Sequence, residues 1–286
     1  MTESGLVVVD KPPGMTSHDV VARVRRTAGT RKVGHAGTLD PMATGVLVLG
    51  LNRATRLLGH LMLTEKTYEA TVRLGAATST DDAEGEITAT RSAFAVTEDD
   101  VREVLREFEG DILQVPSTVS AIKVAGKRAY QRARSGEEVE LAARPVTIHA
   151  IEAGSFRREG DFLDLELRVS CSSGTYIRAI ARDVGARLGV GGHLTALRRT
   201  AVGPFTLRGA NTDLDHLSVT PIAEAARAAF PCVDLTDEQA QDVRFGRKLG
   251  LVLGADGPHA LFAPEGEFLA LYERAGTEAR AVAVFV

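Results

Sequence analysis

Cysteine is nearly absent from this chain of 286 residues, with only Cys171 and Cys232, 61 positions apart. Thiols so few and so distant build neither a disulfide framework nor a zinc-ligand spacing. The seven histidines, at 18, 35, 60, 149, 193, 216 and 259, are equally scattered, so no metal is expected. The glycine-rich dinucleotide fingerprint and the phosphate loop are both missing, which removes the usual signatures of NAD and ATP chemistry. No apolar run approaches the length of a membrane span. Residues 1–10 lack a basic start leading into a long apolar stretch, so no secretory leader is expected and the reducing cytoplasm is the anticipated location. No internal repeat or low-complexity tract interrupts the chain. What remains is ordinary globular material, 44% apolar and 25% charged, enough for one large domain or one large and one small.

An excess of positive charge is also lacking, since the net charge is −4. That sign argues against polyphosphate binding, but the charge is unevenly spread. Residues 1–60 carry eight basic and four acidic side chains, and residues 121–200 carry fourteen and nine. The acid is concentrated in residues 61–120, with five basic against thirteen, and in residues 201–286, with seven against twelve. Arg23, Arg25, Arg26, Arg31, Lys32, Lys123, Lys127, Arg128, Arg132 and Arg134 are therefore the candidate phosphate contacts.

The apolar patterning predicts an alternation of short strands and helices. Residues 6–9 read as a strand, followed by a Pro-Pro-Gly turn and a helix capped by Thr16 or Ser17, with Val20, Val21, Val24 and Ala28 as its buried stripe. Residues 46–49 form a buried-looking strand and residues 54–62 a helix. Tyr68 shares the apolar face of an alternating strand with Ala70, Val72 and Leu74. The acidic run 81–86 is a turn signal, residues 98–108 an amphipathic helix, and residues 119–144 an exposed basic arm that orders on a partner. A long strand alternates through Leu163, Leu165, Leu167, Val169 and Cys171. A helix follows, with Ile177, Ile180, Ala181, Val184 and Leu188 inward, Gly189 at its end, and Arg178 with Arg182 on a face away from that stripe. From about residue 230 the texture changes to short strands with Gly and Pro turns. The reading is α+β: a catalytic domain over residues 1–230 built on a mixed, largely antiparallel sheet, then a small β-rich domain over residues 231–286.

One segment carries the chemistry: Gly34-His35-Ala36-Gly37-Thr38-Leu39-Asp40-Pro41-Met42-Ala43-Thr44-Gly45 and the strand after it. Pro41 biases Asp40 toward extended geometry, and the glycines permit tight turns or close approach of a ligand. A carboxylate is thereby fixed at the corner of a rigid loop. A lone Asp-Pro is ordinarily just a turn, so the weight rests on the whole string. It resembles the Gly-His-x-Gly-Thr-Leu-Asp-Pro-x-Ala-x-Gly segment of the TruB family, the synthases that make pseudouridine in the T-loop of tRNA. Further segments match in the family's order: Lys11-Pro12-Pro13-Gly14-Met15-Thr16-Ser17, Lys66-Thr67-Tyr68, Gly174-Thr175-Tyr176-Ile177-Arg178, and Gly192-His193-Leu194-Thr195-Ala196-Leu197-Arg198-Arg199.

The resemblance implies a pseudouridine synthase fold with a small PUA-like RNA-binding domain at the C-terminus. It implies isomerisation of a uridine without cofactor or metal, by a monomer acting on the tRNA T-arm. Asp40 would be the catalytic carboxylate, as nucleophile or as base on the ribose. Burial beneath the base disfavours an ionised carboxylate, so a fixed cation must oppose it, and Arg178 is the candidate because a guanidinium stays charged and grips with two hydrogen bonds. By the same resemblance Tyr68 would stack on the target base and assist proton movement, Tyr176 and Leu197 would line the base pocket, and His35 would fill the space left by the flipped bases. Lys11 and Pro12 would brace the Asp40 loop. Removing residues 231–286 is expected to weaken RNA binding and spare the chemistry, unless it exposes core. Three other readings stay open. The Gly-Thr-Leu-Asp-Pro string echoes a nucleotidyltransferase start but lacks the following His-x-Gly-His; the others are a tRNA-binding chaperone without turnover and the catalytic subunit of a guide-RNA particle.

Overall fold

Apolar runs buried on both faces become the inner strands of the first of two units. The computed structural model describes residues 3–118, 123–124, 127–128, 141–254 and 256–286. Met1–Pro41, Gly45–Leu63 and Val202–Val286 form one compact unit, and Met42–Thr44 with Thr64–Ala201 form the other. In the first, Gly5–Lys11 lies antiparallel to Thr44–Leu51, with Leu6 opposite Gly50 and Lys11 opposite Gly45. Thr220–Pro221 pairs with Gly5–Lys11, and Val33–His35 with Thr44–Leu51. The helix Ser17–Thr27 begins at a reciprocal capping box between Thr16 and Asp19, which satisfies two otherwise orphaned backbone donors. Val20, Val21 and Val24 are buried on it as the periodicity predicts.

The expected helix over residues 54–62 is broken. A 3-10 turn spans Asn52–Arg56 and a single α-helical turn spans Leu58–Leu61. Ala54, Leu57, Leu58 and Leu61 still turn inward, so the stripe was legible even though the helix type was not. The tight start follows from packing: the Ala54 carbonyl sits where a Cβ on Gly50 would lie 2.8 Å from it.

The C-terminal strands Cys232–Asp234, His259–Phe262, Phe268–Ala275 and Glu278–Val284 form a sheet in that order, its first pair parallel. Its residues divide between two cores. Leu261, Ala270 and Tyr272 pack with Ala240 and Val243 of the helix Asp237–Arg244. Ala260, Phe262, Phe268, Leu271 and Phe285 join a cluster with Leu6, Val46 and Val48.

In the second unit the sheet runs Gly192–Val202, Lys66–Leu74, Phe162–Cys171, Arg144–Glu159, Gly110–Gln114. Leu163, Leu165, Leu167 and Val169 stand opposite Leu74, Val72, Ala70 and Tyr68, and all eight are buried. The alternation therefore gives the register of this face. The helix Glu98–Arg106 ends two residues earlier than the pattern predicts, because Glu107 and Phe108 close it with tighter bonds to Val104 and Leu105. The helix Ile177–Arg187 ends in Gly189 at φ +72°, the expected left-handed cap. Of the expected arm, the short strands Lys123–Val124 and Lys127–Arg128 pair antiparallel, whereas Arg132 and Arg134 lie outside the described residues. The fold is α+β with a large mixed sheet and a β-rich C-terminal region.

Candidate active site

The neighbours of Asp40 are held in place on both sides. The Ser17 hydroxyl donates to the Leu39 carbonyl at 3.1 Å and accepts the Leu39 N–H at 2.9 Å. On the other side the Pro41 carbonyl accepts the Gly14 N–H at 2.8 Å and the Lys11 ammonium at 3.2 Å. Lys11 is fully buried and also donates to the carbonyls of Pro12 at 2.9 Å and Met15 at 2.7 Å. A buried cation thus holds the Lys11-Pro12 turn and the Asp40 loop together, where leaving it without acceptors would be costly. Gly37 and Gly45 have φ of +94° and +101°, backbone that a side chain would strain. Asp40 itself is half-buried. His35 ends the strand Val33–His35, edge-on to His18 with ring centroids 5.7 Å apart. Just past the loop, Met42–Thr44 pack with the second unit, where the Arg198 guanidinium donates to the Thr44 hydroxyl at 3.2 Å.

The second unit holds the other expected residues. Tyr68 is buried on Lys66–Leu74, and Leu197 is buried on the neighbouring strand Gly192–Val202. Tyr176 and Arg178 stand at the start of one helix. Arg178 is only 3% exposed, so its face of the helix is covered rather than open to solvent. It donates to the Thr80 carbonyl at 2.9 Å and pairs with Asp82 at 3.3 Å, both side chains being 4% exposed. Arg182, one turn on, pairs with Asp81 at 3.2 Å and Asp183 at 2.8 Å. The helical wheel does not report this cover, which the acidic turn supplies from outside the helix. Asp82 is the partner of Arg178 that sequence reasoning missed. Its only signal was the run 81–86, which reads as a solvated turn.

Two further groups are electrostatically unusual. Burial, reinforced by the nearby Arg199 charge, lowers the Lys66 pKa to about 8. Opposite it in the ladder, burial pushes the Cys171 thiol up to about 11, so that cysteine is a protonated core residue. Among the candidate phosphate contacts, Arg23 is ion-paired with Asp215 and Arg25 donates to the Val33 carbonyl at 3.0 Å, while Arg26, Arg31 and Lys32 are exposed. Among the described residues no three ligating side chains gather as for a metal ion, and no helix is long and apolar enough to cross a membrane.

Comparison with known proteins decides the family. Residues 25–177 match the N-terminal domain model of TruB family pseudouridylate synthases. The chain belongs to the TruB family. Residues 178–227 match the tRNA pseudouridylate synthase B C-terminal domain, and residues 230–286 the C-terminal model of tRNA pseudouridine synthase II. Among the similar proteins are two tRNA pseudouridine synthases B. The one from Arthrobacter sp. (strain FB24) is 57% identical over 99% of this chain and 96% of its own length. That from Thermobifida fusca (strain YX) is 58% identical over 98% of each. Solved structures with the same fold include a Cbf5-Nop10-Gar1 complex, at 28% identity and TM-score 0.75, covering 99% of this chain and 85% of the other. Another is an H/ACA RNP bound to a substrate RNA containing 2'-deoxyuridine, at 27% and 0.73 with coverages of 99% and 85%. Pseudouridine synthases are isomerases, and as a TruB member this chain is an enzyme of that class.

Proposed function

We propose that this TruB protein converts the T-loop uridine at position 55 of tRNA to pseudouridine, with Asp40 as the catalytic carboxylate. The observation that carries the reading is the Asp40 loop itself, whose family motif is intact and whose residues 39 and 41 are held by Ser17, Lys11 and Gly14. The reaction breaks the bond from N1 of the base to C1' of the ribose, turns the base, and forms a bond from C5 to C1'. The C5 proton leaves and N1 gains one, so neither redox partner nor water is consumed. Asp40 acts at the ribose as nucleophile or base. Arg178 supplies the opposing cation, Tyr68 stacks on the base and assists proton movement, Tyr176 and Leu197 wall the base pocket, and His35 replaces the extruded bases. Lys11 and Pro12 support the loop. The enzyme works in the cytoplasm as a monomer, without cofactor or metal, and reads the folded T-arm mainly by shape. Its C-terminal region is PUA-like. Full-length identity of 57–58% to tRNA enzymes supports tRNA as substrate over a guided RNA, where identity is 27–28%.

Chemical mapping of pseudouridine in tRNA transcript, and in a T-arm minihelix, tests the reading. Both should be modified at position 55 only; product in ribosomal RNA or the anticodon stem would refute the substrate. Asp40→Asn should bind tRNA yet lose more than about a hundredfold in single-turnover rate, roughly 2.7 kcal/mol of barrier. A smaller loss would remove Asp40 from the chemistry.

A further inference from the structure

The helix Ile177–Arg187 begins unusually. Its N-cap is Tyr176, with extended φ and ψ of −104° and 106°, and a tyrosine cannot cap as a short Ser, Thr or Asp side chain does. Half of a capping box, the bond to the N-cap N–H, is supplied from another strand. Gln114, at the end of Gly110–Gln114, is 3% exposed. Its Oε1 accepts the Tyr176 N–H at 2.8 Å, and its Nε2 donates to the Tyr176 carbonyl at 3.1 Å. That carbonyl also accepts the Ile180 N–H at 3.2 Å, the first bond of the helix. Only one orientation of the amide makes both bonds, so the backbone at residue 176 is clamped as a β-ladder would clamp it. The next residue of the same segment adds a second grip, since the Val115 carbonyl accepts from Arg182 at 2.7 Å.

An aromatic residue therefore stands at the N-cap, and the strand end holds its backbone through both the N–H and the carbonyl. We infer that Gln114 is a positioning residue for the isomerisation: it fixes Tyr176 and, through the first helical turn, Arg178. The inference rests on the proposed roles of Tyr176 and Arg178. A plain cap would be satisfied by any local hydroxyl, whereas this clamp fixes the two peptide units that flank the residue that carries the ring.

Two variants test it in the full chain, with single-turnover rates on tRNA transcript, tRNA affinity, and hydrogen exchange read by mass spectrometry. Gln114→Met keeps volume and removes both bonds. Its rate should fall about tenfold or more, as small misplacements of site groups do, with affinity kept within about threefold and faster exchange confined to residues 175–181. Gln114→Glu adds a readout that a purely structural role would not move. A protonated carboxyl donates and accepts as the amide does, whereas a carboxylate has no proton to give and opposes the Tyr176 carbonyl. The rate of Gln114→Glu relative to wild type should therefore rise as pH falls from about 8 to about 6, while the Gln114→Met ratio stays flat. The inference is overturned if Gln114→Met keeps more than about half the wild-type rate, if exchange accelerates throughout the chain, or if both ratios are equally flat with pH. Wild-type protein that makes no pseudouridine in tRNA would refute the functional reading instead, and the exchange comparison would still decide whether the clamp exists.

Discussion

Arg178 and Asp82 bury opposite charges at 3.3 Å with almost no exposure. Such a pair adds little net stability, because desolvating each ion costs several kcal/mol and their attraction only offsets it. Net stability alone therefore gives little reason to bury this guanidinium. Arg178→Lys keeps the charge but loses the planar guanidinium fork, so the single-turnover rate should drop at least about tenfold, roughly 1.4 kcal/mol. A rate equal to wild type would remove Arg178 from the chemistry. Lys66 makes a separate prediction about stability. Its folded pKa, about 8, lies below the unfolded value of 10.5 because burial disfavours the charge. The unfolded chain therefore binds more protons between those values, and wild-type stability gains from this group as pH rises from 8 to 10.5. Lys66→Met removes the titration, so the stability of the variant relative to wild type should decline by about 1–3 kcal/mol across that window. Urea unfolding at about pH 7 and about pH 10 measures it; a pH-independent difference would mean that Lys66 titrates normally.

Helix Ile177–Arg187 shows a packing contact overriding a local preference. Gly185 lies inside the helix, where replacing glycine with alanine ordinarily stabilises by up to about 1 kcal/mol. Here the added Cβ would sit 2.2 Å from the Gly191 carbonyl carbon and the Gly192 nitrogen. Those atoms are backbone and cannot swing aside, and overpacking of this kind costs about 1–3 kcal/mol or more. The clash should win. Gly185→Ala is expected to lower Tm and to lower activity, because the helix it displaces carries Tyr176, Arg178 and Arg182. A variant as stable as wild type would mean that the contact relaxes freely. The same helix shows the limits of pattern reading, since its stripe and Gly189 cap were legible while the burial of Arg178 was not.

Across the whole molecule, the C-terminal strands share a core with the N-terminal ones. Phe262, Phe268, Leu271 and Phe285 pack in the cluster of Leu6, Val46 and Val48, and the Arg53 guanidinium donates to the Phe285 carbonyl at 2.7 Å. Burying each of those four large side chains is worth about 1.5–3 kcal/mol. Their joint loss rivals the 5–15 kcal/mol that typically holds a domain together. Deleting residues 231–286 should therefore prevent stable folding of the remainder, which is the exception that the sequence reading allowed. Circular dichroism and thermal unfolding of the 1–230 fragment check this. A cooperative melt with retained isomerase activity would show that the shared cluster is dispensable.

The features legible in the sequence are those set by neighbours in the chain. The Asp40 corner, the glycines Gly37 and Gly45, the helix cap at Thr16 or Ser17 and the alternation through residues 163–171 all depend on residues within a few positions of each other, where sterics and periodicity act directly. The partners of the site side chains are a different matter. Arg178 meets a carbonyl 98 positions away, and Gln114 clamps a peptide 62 positions away. The sequence by itself determined the Asp40 loop, the family and the strands that carry the candidate residues. Only the tertiary structure decided that Asp82 covers Arg178, that Gln114 holds the Tyr176 backbone at the start of the helix Ile177–Arg187 and that Phe285 closes the core around Leu6. Those choices depend on how separate elements pack and in what register, which no local period encodes.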